Sequence, residues 1–276
     1  MKLLDLLEPP ATRATSLLGT LRHRQLFPQV EQVCLFIGYP RSGHSLVGSL
    51  LNAHRHAVIA HELDLMQYVL RGYHRDGLYA LMMERDRWFE RIGRNWSRYD
   101  YRVPNQWQGR VERLRVIGDK KGSGTTAHLQ QHPHLLDQLR KTVGVPIRFV
   151  HVARNPFDNV STMYSKRPES RTLEKSVRKY FRKCEWNAEL LAGIPEGEAH
   201  SMRLEELIAD PKRQLAELCQ FVGLDAPEDY LRDCASMVFE KPRRTREKVT
   251  WPPELIREVE EQCERFPFLK GYRWDN

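Results

Sequence analysis

The stretch VCLFIGYPRSGHSLVGSLL at residues 33–51 restricts the fold more than any other part of this chain. Val33 to Ile37 is an unbroken apolar run of strand length, and Gly38 and Pro40 interrupt it. Leu46, Val47, Leu50 and Leu51 then recur at helical spacing. A buried strand that passes through a glycine loop into a helix is the opening unit of a parallel sheet covered by helices. Gly38 and Gly43 have the five-residue offset of a phosphate-binding loop, and Ser45 stands where such a loop carries its Ser or Thr. His44, however, stands where the lysine that reaches the β- and γ-phosphates belongs. What remains is a cradle for an anion, made of backbone N–H groups at a helix N-terminus. Ser42, Gly43, His44 and Ser45 line it, and Arg41 adds a fixed charge with planar donors.

A second anion signal lies in PIRFVHVARNPFDNVSTMY at 146–164. Ile147 to Val152 reads as a strand, Asn155 as a helix N-cap, Pro156 as the first helical residue and Asp158 as the third. Arg154 is therefore expected at the carboxyl end of a strand, with Ser161 and Thr162 about two turns down the following helix. A guanidinium and a hydroxyl so placed can converge on one phosphate.

PRSGHS at 40–45 and the pair Arg154 and Thr162, eight residues apart, together resemble the sulfotransferases that use 3′-phosphoadenosine 5′-phosphosulfate, PAPS. The resemblance runs from about Val33 to the end of the chain. It implies a three-layer α/β fold related to the P-loop kinases, with a central parallel sheet flanked by helices, and PAPS as sulfuryl donor with no metal. RVIGDKKGSGTT at 115–126 is similar to the family's strand-end lysine segment. Two adjacent lysines cannot both face the cofactor if they continue a strand; comparison with the family implies Lys120 as the catalytic one, and Lys121 stays the alternative contact to the donor. Comparison with carbohydrate and tyrosyl members implies Glu62 as general base, with His61 beside it as the alternative; Arg41 and Lys120 would stabilise the departing charge. KPRRTREKV at 241–249 resembles a basic loop that grips the 3′-phosphate, with Arg243 and Arg244 as its candidates. MRLEELIADPKRQLAELCQFVGL at 202–224 is similar to a further helical region of the family, in which Leu204 replaces a frequent Tyr; His44 and Thr162 are also departures.

At 276 residues and 41% apolar composition, the chain can bury the core of one domain spanning 1–276. Strands are expected near 33–38, 57–60, 115–118, 146–153 and 199–203. Helices are expected near 44–54, 62–72, 76–93, 125–141, 156–166, 172–192, 211–222 and 252–265. Residues 1–30 form a helical appendage broken at Pro9-Pro10. Residues 64–114, where tyrosines and tryptophans interleave with arginines, read as an acceptor-side insertion. No apolar run reaches the ~18 residues of a membrane span, and the N-terminus lacks a secretory apolar core, so a cytoplasmic location is expected. Five scattered cysteines without ligand spacing agree with a reducing compartment and no structural metal. The net charge of +8 suits a donor with two phosphate groups and a sulfate, and equally a nucleic acid; discrete strand-end motifs favour the former. The acceptor is expected to be a small-molecule or carbohydrate hydroxyl, with no nucleic-acid partner. The alternatives are a kinase on the same fold, to which VIGD at 116–119 would supply a metal-binding aspartate, or a non-catalytic nucleotide- or nucleic-acid-binding module.

Overall fold

The computed structural model describes residues 13–166 and 172–276; the Pro9-Pro10 break lies outside them. In chain order the elements are α1 (Arg13–His23), β1 (Gln32–Ile37), α2 (His44–Asn52), β2 (Ala57–His61), α3 (Met66–Leu70) and α4 (Arg75–Arg91). A hairpin of β3 (Asn95–Trp96) and β4 (Tyr99–Asp100) precedes β5 (Val116–Lys120), α5 (Gly122–Gln131), α6 (Leu135–Val143) and β6 (Ile147–Ala153). The rest comprises α7 (Pro156–Tyr164), α8 (Leu173–Gly193), β7 (Ala199–Arg203), α9 (Leu204–Ala209), α10 (Pro211–Phe221), α11 (Glu228–Ala235) and α12 (Pro253–Glu264).

The five long strands form one parallel sheet in the order β2-β5-β1-β6-β7. Because β1 and β2 are covered on both faces, they read as near-continuous apolar runs rather than alternating ones, and β5 is equally buried although it ends in Asp119 and Lys120. One face packs against α3 to α6 through Leu35, Ile37, Val58 and Ile117. The other packs against α2, α10 and α11 through Cys34, Phe36, Ile59 and Val150. Val47, Leu50 and Leu51 of α2 are fully buried there, at roughly 1.5–3 kcal/mol each. A third cluster joins α7, α8 and α12 around Phe157, Tyr180 and Val259.

The chain leaves β1 toward β2 and leaves β6 toward β7, on opposite sides, so a crevice opens at the carboxyl ends of β1 and β6. Both anion motifs lie at that crevice.

The structure corrects several sequence expectations. Residues 62–65 do not begin a helix: Glu62 and Asp64 have φ of 60° and 66°, and α3 is confined to Met66–Leu70. The helix expected over 125–141 is two, α5 and α6, parted at Pro133, which cannot continue a helical hydrogen-bond ladder. The hairpin and the helices α9 and α11 carry too short a periodicity to be read from sequence. The described part of the N-terminus is a helix that packs against α4, with Ser16 and Gly19 buried.

Candidate active site

The loop from β1 to α2 is shaped by three residues with positive φ, Gly38 at 140°, Arg41 at 74° and Gly43 at 104°. Gly43 is the N-cap of α2, and a Cβ there would lie 2.8 Å from Leu204 Cδ1. Glycine is thus needed for both conformation and space. Leu204 packs beneath the loop. Ser42 is buried and donates to the Tyr39 carbonyl at 3.0 Å, while its Oγ also lies 3.0 Å from His44 Nδ1. His44 Nε2 lies 3.0 Å from the Ile37 carbonyl, which can only accept, so the imidazole carries its proton on Nε2. Its ring fills the space that a Cβ on Gly38 or Gly122 would invade, and it is edge-on to Phe36. Burial, reinforced by Lys120, lowers its pKa to about 4. The His44 side chain therefore pins the loop from below, which leaves to its backbone N–H any part in the cradle expected of residues 42–45.

Across the loop, at the carboxyl ends of β5 and β2, four side chains meet. Lys120 Nζ donates to Ser45 Oγ at 2.9 Å and to Glu62 Oε1 at 2.6 Å, and Lys121 Nζ donates to Glu62 Oε2 at 2.7 Å. Both adjacent lysines face the site, against the argument from strand alternation. The strand stops at Lys120, and Lys121 turns as the N-cap of α5, so its side chain is not forced to the opposite face. Burial pulls the Glu62 pKa upward, but the two ammonium groups outweigh it and hold the carboxylate at about 2. Lys120 is 1% exposed, and burial lowers its pKa while Glu62 opposes the shift.

The backbone conformation that aims Glu62 is held by Asp119. Its two oxygens accept from the N–H groups of Leu63 at 3.0 Å and Leu65 at 2.9 Å. The aspartate that a kinase reading would give to a metal is fully buried and supports this turn, and burial raises its pKa to about 6.

On the β6 side, Arg154 bridges three segments through oxygens that carry no charge. Nη1 donates to the Arg41 carbonyl at 3.3 Å and to Thr162 Oγ1 at 3.4 Å. Nη2 donates to the Arg243 carbonyl at 2.8 Å and to Thr245 Oγ1 at 3.4 Å. Thr162 and Thr245 are 3.0 Å apart and both donate to the Asp158 carbonyl at 2.8 Å. Arg154 has no carboxylate partner among the described residues. Ser161, expected beside Thr162, points the other way: it is fully buried and accepts from Trp251 Nε1 at 2.9 Å. About 100° separates successive side chains on a helix, so both hydroxyls cannot face the crevice.

The basic loop reaches this place because Arg246 is buried against α7. Its backbone N–H bonds Asp158 at 2.9 Å, its guanidinium lies 3.4 Å from the same carboxylate, and it also donates to the carbonyls of Arg273 and Trp274. Arg243 extends over the hairpin, donating to Tyr99 Oη at 2.8 Å and stacking on Phe239. Arg244 turns outward to Glu247 and the Asp275 carbonyl.

The insertion supplies a roof. His61 is stacked on Phe89 at 4.0 Å and is edge-on to Trp96, and burial holds its pKa well below the ordinary value. It belongs to this aromatic stack and lies outside the carboxylate–lysine cluster. Tyr101, which follows β4, brings its phenol beside Ser45 with Arg41 and Glu62 near; burial raises its pKa and Ser45 opposes the rise. Tyr101 and Thr245 are the site residues that sequence reasoning missed. Their positions depend on a hairpin and a 3-10 turn that leave no periodic signal.

A glycine cradle at a helix start, a strand-end arginine with no carboxylate partner among the described residues and a carboxylate between two lysines thus lie around one crevice. The sulfotransferase family model matches residues 35–228, more than half of the chain, and the chain belongs to that family. Its fold is similar to the sulfotransferase domain from the curacin biosynthetic pathway, with a TM-score of 0.53 at 12% identity, covering 86% of this chain and 97% of that one. Sulfotransferase STF9 from Mycobacterium avium aligns with a TM-score of 0.49 at 12% identity, over 92% and 81% of the two chains. Mouse sulfotransferase SULT7A1, solved in complex with PAP, aligns at 0.46 and 13%, over 85% and 84%. No curated protein sequence matches significantly. No helix among the described residues is long and apolar enough to cross a membrane.

Proposed function

We propose that this sulfotransferase moves the sulfuryl group of PAPS to a hydroxyl of a small-molecule or carbohydrate acceptor by in-line displacement. The observation that carries the reading is the pairing of two cation sets on either side of one loop. Arg154 with Thr162 and Thr245 is suited to the 3′-phosphate. Arg41 and the N–H groups of Ser42 to Ser45 are suited to the 5′-phosphate, in a cradle that a Cβ on Gly43 would disturb. The donor supplies an electrophilic sulfur whose bond to the 5′-phosphate oxygen breaks as the acceptor oxygen bonds to it.

Glu62 takes the acceptor's proton. While both lysines grip it, a pKa of about 2 makes it a poor base at neutral pH. Donor oxyanions offer Lys120 and Ser45 a competing partner, and the burial that already pulls Glu62 upward then raises its proton affinity. Lys120 meanwhile neutralises charge on the departing diphosphate. The half-buried Trp96, Tyr99 and Tyr101 of the roof are suited to the acceptor side.

The test is thermal unfolding with 3′,5′-diphosphoadenosine against ATP with Mg²⁺. Stabilisation by the former alone is expected. Equal or preferential stabilisation by ATP with Mg²⁺ would favour the kinase alternative.

A further inference from the structure

The helix α1 packs with its small residues inward and its leucines outward. It rests closely on α4: a Cβ on Gly19 would lie 3.1 Å from both Ala80 Cβ and Glu84 Cγ, and one on Gly77 would lie 2.6 Å from Ser16 Oγ. Thr20 is on the same side, donating to the carbonyls of Ser16 at 2.8 Å and Asp76 at 3.3 Å. Leu17, Leu18 and Leu21 are 62%, 63% and 59% exposed, the most exposed large apolar side chains among the described residues. Successive helical residues turn by about 100°, so these leucines and the exposed Ala14 share one arc of about 100°, opposite Ser16 and Gly19. A helix ordinarily turns such a stripe toward the core. Here the small residues hold the inner face, and the stripe is left for a surface outside the domain.

The charge around the stripe says which kind of surface. Arg13 and Arg22 lie about 40° beyond its two edges, and Arg24 follows at the carboxyl end. Residues 13–30 contain no carboxylate. Arg13 lies over the ring of Tyr73 at 5.0 Å and donates to the Arg71 carbonyl at 3.2 Å, which brings Arg71 and the exposed Leu70 at the end of α3 beside the helix start. Both contacts of Arg13 are uncharged, and Arg24 has no carboxylate partner among the described residues. Glu84 of α4 is shared by Arg22, His23 and Arg87. An apolar stripe bordered by arginines matches a bilayer interface with anionic headgroups. A second copy of the chain matches it poorly. An antiparallel pair of α1 helices would set Arg13 of each copy against Arg22 and Arg24 of the other, with no acid on either helix to offset them. A helix ~16 Å long and ~10 Å wide also falls far short of the ~800 Å² per partner that a stable dimer buries.

We propose that α1 is a membrane-surface anchor. Ala14, Leu17, Leu18 and Leu21 enter the headgroup boundary of an anionic bilayer, and Arg13, Arg22 and Arg24 engage its lipid phosphates. The proposal stands independently of the transfer reaction.

The test is sedimentation of the whole protein with vesicles of phosphatidylcholine and of an equal mixture of phosphatidylcholine and phosphatidylglycerol. The wild type is expected to bind the mixed vesicles at least about tenfold more tightly than the neutral ones, and raised salt to weaken that binding. Leu17→Gln, Leu18→Gln and Leu21→Gln combined keep helix propensity and should lose at least about tenfold on the mixed vesicles. Arg13→Gln with Arg24→Gln should lose about as much. An unchanged urea midpoint shows that the variants fold and that the leucines face water. Absence of wild-type binding to the mixed vesicles, or equal binding to both kinds, overturns the anchor. Equal binding by the wild type and the leucine variant would assign the attraction to the net charge of +8 instead. A lower urea midpoint in the leucine variant would mean that residues 1–12 cover the stripe within the chain. A wild-type dimer in sedimentation velocity, lost in the leucine variant, would give the stripe to a second copy.

Discussion

At the scale of single residues, the proposed reaction rests on Glu62 and Arg154, and each is set by its partners. Glu62→Gln keeps the size of the side chain and removes its capacity to take a proton. Turnover is expected to fall by about 10²-fold or more with donor affinity nearly intact. A normal rate in Glu62→Gln together with loss in His61→Asn would give the role to the histidine, despite its place in the aromatic stack. Arg154 spends its donors on neutral oxygens, two of them at 3.4 Å, and these are contacts a phosphate can replace. Arg154→Ala should therefore weaken 3′,5′-diphosphoadenosine by about 1.5–3 kcal/mol while leaving an analogue without the 3′-phosphate unchanged. Equal losses for both ligands, measured by calorimetry, would show that Arg154 supports the loop rather than reading the phosphate.

At the scale of elements, the roof over the site depends on a buried ion network. Arg94 is fully buried; it donates to Asp86 Oδ1 at 3.0 Å and Glu90 Oε2 at 2.6 Å, and its carbonyl accepts from the Tyr101 N–H. Asp86 also accepts from Asn52 of α2, whose Oδ1 in turn accepts from the Ile59 N–H of β2. One arginine thus ties the end of α4, the hairpin and the sheet together. Arg94→Met leaves the Asp86 carboxylate buried without a cation, which costs about 3–5 kcal/mol. Urea unfolding should show this loss, and Arg94→Met with Asp86→Asn should recover much of it because the stranded charge is gone. A single variant within about 1 kcal/mol of wild type would mean that the hairpin is held by its aromatic packing alone.

For the molecule as a whole, buried histidines set the response to acid. His44 and His54 are held at pKa values of about 4 and His151 at about 3, by burial in each case, and His61 is also strongly lowered. The folded state keeps all four neutral while the unfolded chain protonates them below about pH 6.5, so this stability is complete above pH 6.5 and drains away as pH falls toward 4. Asp119 acts oppositely: raised to about 6, it is protonated in the folded state between pH 6 and 4 and offsets part of the loss. Glu62 adds its own loss only below about pH 4.5. Unfolding near pH 5 should therefore take up about two to three protons, seen as a steep fall in the urea midpoint between pH 7 and pH 5. A flat profile over that range would mean that the histidines titrate freely in the folded protein.

The sequence by itself determined the sheet, the loop and the strand-end arginine, because each is a local signal. An apolar run of strand length, a pair of glycines at fixed offset and an Asn-Pro helix start report on a few consecutive residues. Glu62, just after the apolar run at 57–60, and Lys120 were singled out instead through the resemblance to the family. The tertiary structure alone decided where the side chains point and what they are paired with. That Ser161 faces Trp251 while Thr162 faces Arg154 depends on the rotation of α7 against the loop at 241–249. That both lysines reach Glu62 depends on β5 ending at Lys120, and the positive φ of Glu62 depends on Asp119 accepting from the N–H groups of Leu63 and Leu65. His44 sits in a loop that local spacing assigns to an anion, but the space left by Gly38 and Gly122 turns its ring into the core. Tyr101 and Thr245 gain meaning only from neighbours dozens of residues away, and a single sequence carries no periodic trace of such contacts.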